Sequence, residues 1–182
     1  MSNSTEIRSK FPDRGNNVVL IGMPASGKST VGVVLAKMTG LAFLDTDLAI
    51  QHREGCRLEE IIRRKGLDEF LRIEEEVCMD LSVSGTVIAT GGSVVYGEKA
   101  MEHLKQLGTI VYLETGLDAL SRRLGDVRRR GVVLKEGQSL GDLLQERLPL
   151  YRKYADLTVR EEGLSLEETA EAVYRLTASD LC

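Results

Sequence analysis

The chain has no tryptophan, and its aromatic residues are five tyrosines and three phenylalanines. That leaves little surface for stacking nucleobases, on which single-strand binders depend. Cysteine is equally scarce. Cys56, Cys78 and Cys182 are an odd number without a C-x-x-C pair, and only two histidines accompany them, His52 and His103. A disulfide framework and a zinc site are thereby excluded as organising features, and free thiols in a reducing cytoplasm are expected. No apolar run approaches the roughly 20 residues of a membrane-spanning helix. The opening stretch MSNSTEIRSKFPDRGNN is polar and has no apolar centre of the kind a secretory signal carries. With 24 basic and 28 acidic side chains the net charge is −4, which disfavours non-specific binding to nucleic acid. There are three prolines and no tract rich in Pro, Gly or Ser that would mark a linker.

What is present suits one compact domain. The chain has 182 residues, 42% of them hydrophobic, enough to bury a sizeable core. Residues 1–16 read as a loose leader and residues 17–178 as a single domain. Val18-Val19-Leu20-Ile21 is a continuous apolar run, as expected of a strand covered on both faces in a parallel sheet. Helical spacing follows over 28–38, with Gly40 as its stop. Further strands are expected at 41–44, 86–89, 109–113 and 157–159. Helices are expected through Leu48 and Gln51 and over 58–65, 69–81, 98–107, 117–124, 140–154 and 166–176. Pro149 should kink the helix over 140–154 or start a new turn. Residues 125–138 read as charged and irregular. Alternating strands and helices imply an α/β fold whose five-stranded parallel sheet carries helices on both faces. Ligands bind such sheets beyond the carboxyl ends of the strands, which directs attention to 22–29, 45–47, 90–93 and 114–116.

Gly22-Met-Pro-Ala-Ser-Gly27-Lys28-Ser29 fits G-x-x-x-x-G-K-[ST], preceded by a buried strand and followed by a helix. Backbone N–H groups of such a P-loop, including those of Ala25, Ser26, Gly27 and Thr30, together with the positive end of the helix, cradle phosphates. Lys28 can reach the β- and γ-phosphates, and Ser29 can ligate Mg²⁺. ATP or GTP with Mg²⁺ is therefore the expected cofactor pair. A regulatory GTPase would need an N-K-x-D stretch, which the chain lacks. A mechanical ATPase usually carries an Asp-Glu pair at the end of an apolar strand. Here the third strand runs into Thr90-Gly91-Gly92 instead. A small-molecule kinase remains.

The other candidate site residues cluster after the strands. Asp45-Thr46-Asp47 places two carboxylates at alternating positions. Asp45 could hold Mg²⁺ through water and Asp47 could orient or deprotonate an attacking hydroxyl, although a D-x-D pair also suits a helix N-cap. Gly91 and Gly92 permit close approach of a ligand to the backbone. Arg122 to Gly131 is strongly basic and reads as a mobile lid that closes over ATP and neutralises the transferring phosphoryl group. Arg147 can clamp a substrate carboxylate.

In this order the segments G-M-P-A-S-G-K-S-T, F-L-D-T-D, A-T-G-G, V-Y-L-E-T, the basic lid, E-R-L-P-L-Y and A-D-L-T-V resemble the shikimate kinase family. The resemblance spans Val18 to Val159. It implies transfer from ATP to the 3-hydroxyl of shikimate, with Mg²⁺, in the cytoplasm, by a protein expected to be a monomer without nucleic-acid or membrane partners. It also implies that Asp47 contacts the shikimate hydroxyls and Arg147 its carboxylate. Arg123 would lie along the adenine, and Arg130 would reach ATP from the lid. Three positions depart from the family pattern. Leu71 stands where a second carboxylate-binding arginine is expected, Ser93 replaces a third glycine, and Gly131 follows Arg130 where proline is usual. Either Arg72 swings in to replace the missing guanidinium, or Leu71 lines a more apolar pocket and Arg72 is a surface residue. In the second case the acceptor is another small hydroxylated acid or amino acid. A gluconate-type sugar-acid kinase is the more distant alternative.

Overall fold

The computed structural model describes residues 15–124 and 137–178. Most of the leader, Arg130, Gly131 and the greater part of the expected lid lie outside the described residues, as does Cys182. Strand β1 (Asn17–Ile21) ends in the phosphate loop, which leads into α1 (Lys28–Thr39). Strand β2 (Ala42–Asp45) passes directly into α2 (Thr46–Glu54), followed by α3 (Leu58–Lys65) and α4 (Leu67–Met79). Then come β3 (Thr86–Ala89), a 3₁₀ turn (Val94–Tyr96), α5 (Glu98–Leu107) and β4 (Gly108–Glu114). The chain continues through α6 (Leu117–Leu124), α7 (Leu140–Tyr154), β5 (Leu157–Arg160) and α8 (Leu166–Thr177).

All strand pairs are parallel, and the sheet order is β2-β3-β1-β4-β5. The central strand β1 is covered on both faces, which explains its unbroken apolar run. Val19 and Ile21 join one core with Ile88, Ile110 and Tyr112, while Val18 and Leu20 join the opposite core with Val111, Leu113 and residues of α1 and α8. A third, smaller apolar cluster (Ile50, Ile61, Phe70, Ile73, Val77) binds α2, α3 and α4 to one another beside the sheet. Local signals set several boundaries. Gly40 and Gly55 end α1 and α2 in left-handed conformations, and capping boxes at Ser139/Asp142 and Ser165/Glu168 start α7 and α8.

Two expectations need correction. Helix α4 begins at Leu67 rather than Glu69, because Gly66 turns the chain at positive φ and the helix starts straight after it, and it ends at Met79 rather than Leu81. Helix α7 is continuous through Pro149 and does not start again there. Its buried face, Leu143, Arg147, Tyr151 and Tyr154, repeats at helical spacing on both sides of the proline, so packing overrides the lost backbone bond. The 3₁₀ turn after Gly91-Gly92 had no counterpart in the sequence pattern.

Asn17 ties the start of the sheet together. Its side-chain Nδ2 donates to the carbonyls of Val83 (2.9 Å) and Leu107 (2.7 Å), and its Oδ1 accepts from Thr86 N–H (2.9 Å). Asn17→Ala strands these buried backbone groups and should lower stability by about 3 kcal/mol. The check is urea unfolding, in which the midpoint should fall while the denaturant slope stays unchanged.

Candidate active site

The chain leaves β1 at Gly22, whose φ of 151° few side chains tolerate, and curls round to Gly27 at φ 90°. Space demands glycine at both positions. A Cβ on Gly22 would lie 2.8 Å from the Leu113 carbonyl oxygen, and one on Gly27 would lie 2.9 Å from Leu166 Cδ2. Ala25 also adopts positive φ (65°), a strained choice for a residue with a Cβ. The loop curls around Lys28. Its ammonium donates to the carbonyls of Gly22 (2.8 Å) and Met23 (2.7 Å) and, more weakly, to Ser26 Oγ (3.3 Å). Lys28 is buried, and burial lowers its pKa to about 8 against the opposing pull of Asp47.

Asp45 caps α2, its Oδ1 accepting from Asp47 N–H at 2.9 Å. The same carboxylate accepts from Ser29 Oγ at 2.7 Å. The cap and the pairing with the loop serine therefore coexist in one residue. Asp47 lies in the first turn of α2, where burial and the nearby Asp45 push its pKa up to about 6.

A cavity of about 560 Å³ opens beyond the carboxyl ends of the strands. Ala25, Gly27, Lys28, Ser29, Thr30, Asp47, Gly91, Gly92, Arg123 and Arg147 all line it, whereas Gly22, Ser26 and Asp45 are not among its lining residues. Arg147 is 3% exposed; its Nε donates to Tyr96 Oη (3.2 Å), and that hydroxyl donates to Glu146 (2.6 Å). Tyr151 Oη donates to the Gly92 carbonyl (2.6 Å) and so anchors the glycine segment to α7. Arg123 sits at the opposite end of the cavity, held by Glu161 Oε2 at 2.9 Å, which also accepts from Thr115 (2.6 Å).

Arg72 is not among these groups. It is exposed on the outer face of α4, paired with Glu69 at 2.9 Å through Nε and with Glu76. Both partners lie at i−3 and i+4 on the same face, so the helix itself holds the guanidinium away from the cavity. Leu71 and Arg72 instead border a side groove of about 240 Å³ that shares Glu74 and Ser93 with the main cavity.

Sequence reasoning passed over two buried acids. Glu161 orients Arg123. Glu74 is 1% exposed, lines the main cavity, and leaves Oε1 without a hydrogen-bond partner among the described residues. Burial pushes its pKa up to about 7. The signal was legible in retrospect: Glu74 interrupts the apolar stripe Phe70, Ile73, Val77 of α4, where an acid is out of place unless it has a role.

The phosphate loop, the parallel sheet order and a polar cavity floored by two glycines define a small-molecule kinase of the P-loop class. The match with known proteins carries this further. The model of the family described as "Shikimate kinase" matches residues 24–177, and the chain belongs to that family. The shikimate kinase of Thermodesulfovibrio yellowstonii is 37% identical over 162 residues, covering 87% of this chain and 93% of that protein. The shikimate kinase of Aquifex aeolicus is 33% identical, covering 90% and 98%. Among solved structures, a shikimate kinase from Acinetobacter baumannii in complex with shikimate superposes with a TM-score of 0.84 at 33% identity, covering 93% of this chain and 96% of that one. Kinase activity on a small molecule, with ATP as phosphoryl donor, follows from the family.

A Cβ on Gly91 would collide with Glu74 Oε1 and lie 2.9 Å from Asp47 Oδ1. Displacing Glu74 and Asp47 disturbs the floor of the cavity, so Gly91→Ala should lower turnover on the order of 10²-fold while ATP still binds. Nucleotide titration alongside steady-state rates checks this.

Proposed function

We propose that the protein transfers the γ-phosphoryl group of ATP to the 3-hydroxyl of shikimate, with Mg²⁺. The observation that carries this reading is the convergence of Lys28, Asp47 and Arg147 on one cavity floored by Gly91 and Gly92. It is supported by the likeness to a relative solved with shikimate. Arg147 pairs with the acceptor carboxylate, and Tyr96 and Glu146 hold its guanidinium in place. Asp47 accepts the hydrogen bond of the attacking hydroxyl. As the acceptor oxygen bonds to the γ-phosphorus, the bond from that phosphorus to the β,γ-bridging oxygen breaks. ADP carries away the electron pair, and the hydroxyl proton passes to Asp47. Lys28 neutralises charge on the β- and γ-phosphates, and Arg123 lies along the adenine.

Ser29 Oγ and the Asp45 carboxylate form a hard-oxygen pair that fits Mg²⁺, which would neutralise phosphate charge when bound. A magnesium ion that draws further oxygens from phosphate and water needs no larger acidic cluster, and none of three or more His, Cys, Asp or Glu occurs among the described residues. Arg130 would complete the charge neutralisation from a lid. The protein is proposed to act as a monomer. No described helix is long and apolar enough to cross a membrane; the cytoplasmic setting is part of the proposal and follows from the family.

One observation favours a second acceptor class. With Leu71 apolar and Arg72 held outside, Arg147 is the one guanidinium at the acceptor end among the described residues. A different small hydroxylated acid is the alternative.

Coupled ADP release measured over shikimate, other hydroxylated acids, amino acids and sugars decides between them. Turnover on shikimate no faster than on water overturns the reading. Arg147→Ala should raise the shikimate KM about 10–150-fold through loss of a charge-assisted contact. Lys28→Ala and Asp47→Asn should each lower kcat on the order of 10²–10³-fold.

A further inference from the structure

The acceptor end of the cavity adjoins a space that the reaction above leaves unused. The side groove of about 240 Å³ meets the main cavity at Glu74 and Ser93, which line both. Leu71, Val94, Tyr96, Glu75 and the bare Cα of Gly97 form its other walls. Leu71 and Ser93 are two of the three positions at which the chain departs from its family's pattern, and both border this groove. The groove begins beside the group that would grip an acceptor carboxyl. The guanidinium carbon of Arg147 sits over the Tyr96 ring, 5.1 Å from its centroid, and Nε donates to the Tyr96 hydroxyl at 3.2 Å. Arg147 lines the main cavity and Tyr96 lines the groove. One tyrosine therefore stands between the two spaces, and an acceptor held by Arg147 has its carboxyl group at the mouth of the groove.

The lining decides what fits there. Val94 is fixed in the main core, and Leu71 packs against the cluster that joins α2, α3 and α4, so one wall is apolar and firmly held. Arg72 is the one cation that lines the groove among the described residues, and its guanidinium is committed to Glu69 and Glu76. Glu75 Oε1 is committed too, accepting from Lys99 N–H at the start of α5 (3.1 Å). An anionic substituent would leave water to face two carboxyl groups without an uncommitted cation, which is costly. An uncharged alkyl chain would instead bury apolar surface against Leu71, Val94 and the Tyr96 ring. We propose that the groove is an acceptor subsite for an uncharged alkyl substituent on the carboxyl group, so that the enzyme also phosphorylates alkyl esters and N-alkyl amides of its hydroxylated acid. This rests on the functional reading above. The transfer step is the same: the acceptor hydroxyl oxygen bonds to the γ-phosphorus, the bond to the β,γ-bridging oxygen breaks, and the hydroxyl proton passes to Asp47. The ester or amide bond stays intact. An ester keeps a carbonyl oxygen that accepts from Arg147 but loses the ion pair, so esters are compared with one another.

The test is a series of shikimate methyl, ethyl and propyl esters given to the full chain with ATP, following ADP release and the mass of the phosphorylated ester. For the wild type KM should fall about fourfold with each added methylene, while kcat stays level because the added carbons do not touch the reacting atoms. Leu71→Phe fills the groove without adding charge, so the dependence on chain length should disappear while the shikimate KM stays where it is. A wild-type KM independent of chain length, or the same dependence in Leu71→Phe, overturns the inference. Turnover on shikimate but on no ester overturns it as well and leaves the functional reading standing. Turnover on the esters but not on shikimate overturns only the choice of acceptor. Methyl NMR of the wild type covers loss of turnover or a variant that does not fold. The propyl ester should move the Leu71 and Val94 methyl signals further than shikimate does. Where nothing turns over, the functional reading fails and these signals decide the subsite: equal shifts with shikimate and the propyl ester overturn it.

Discussion

The site depends on the burial of one ammonium group. Lys28 is 7% exposed at the base of a cavity, and an unpaired cation there would be costly to remove from water. The phosphate loop offsets that cost by turning two of its own carbonyls, Gly22 and Met23, onto the Nζ atom. Much else follows from this closure. The loop must leave β1 at a φ that glycine tolerates, pass Ala25 through the left-handed region, and enter α1 at Gly27 with its helix start facing the cavity. The neighbouring elements fill the remaining space so closely that Leu113 and Leu166 leave no room for a Cβ at either glycine.

Around this fixed cation the acids are graded by their surroundings. Asp45 is committed to Ser29 and to the backbone of α2, Asp47 is pushed up by burial and by Asp45, and Glu74 is buried with one oxygen unpartnered. The three carboxyl groups are chemically alike in the chain. Their differences come from distance, burial and the number of donors each receives. The cations divide in the same way. Arg147 is buried and held by a tyrosine, Arg123 is held by a buried glutamate, and Arg72 is spent on two exposed acids of its own helix.

Residue pattern made some of this visible before any coordinates. The loop motif, the apolar run of β1 and the D-x-D pair each have one dominant physical reading once taken in order. The fate of Arg72 was half visible, since acids at i−3 and i+4 were in plain view, yet whether the helix turned that face inward was not. Glu74 was harder. Only its place in an apolar stripe marked it, and such an acid can equally be a solvated residue at the edge of a face. Pro149 left a kink or a new turn open, and the helix runs on through it because Leu143, Tyr151 and Tyr154 pack into the core against distant strands.

What the sequence determined by itself is what depends on near neighbours. It set the α/β alternation, the phosphate loop and its lysine, the glycine stops and serine caps of the helices, and the order of segments that places the chain in its family. These are set within a few residues, by backbone freedom, side-chain period and capping. Tertiary structure alone decided which charges share a cavity. Asp47, Glu74, Arg147 and Lys28 lie on four helices, and only sheet order and helix packing bring them together. It also decided that Leu71 and Arg72 face elsewhere, because a helix assigns each residue a direction and its packing partners decide which direction is inward.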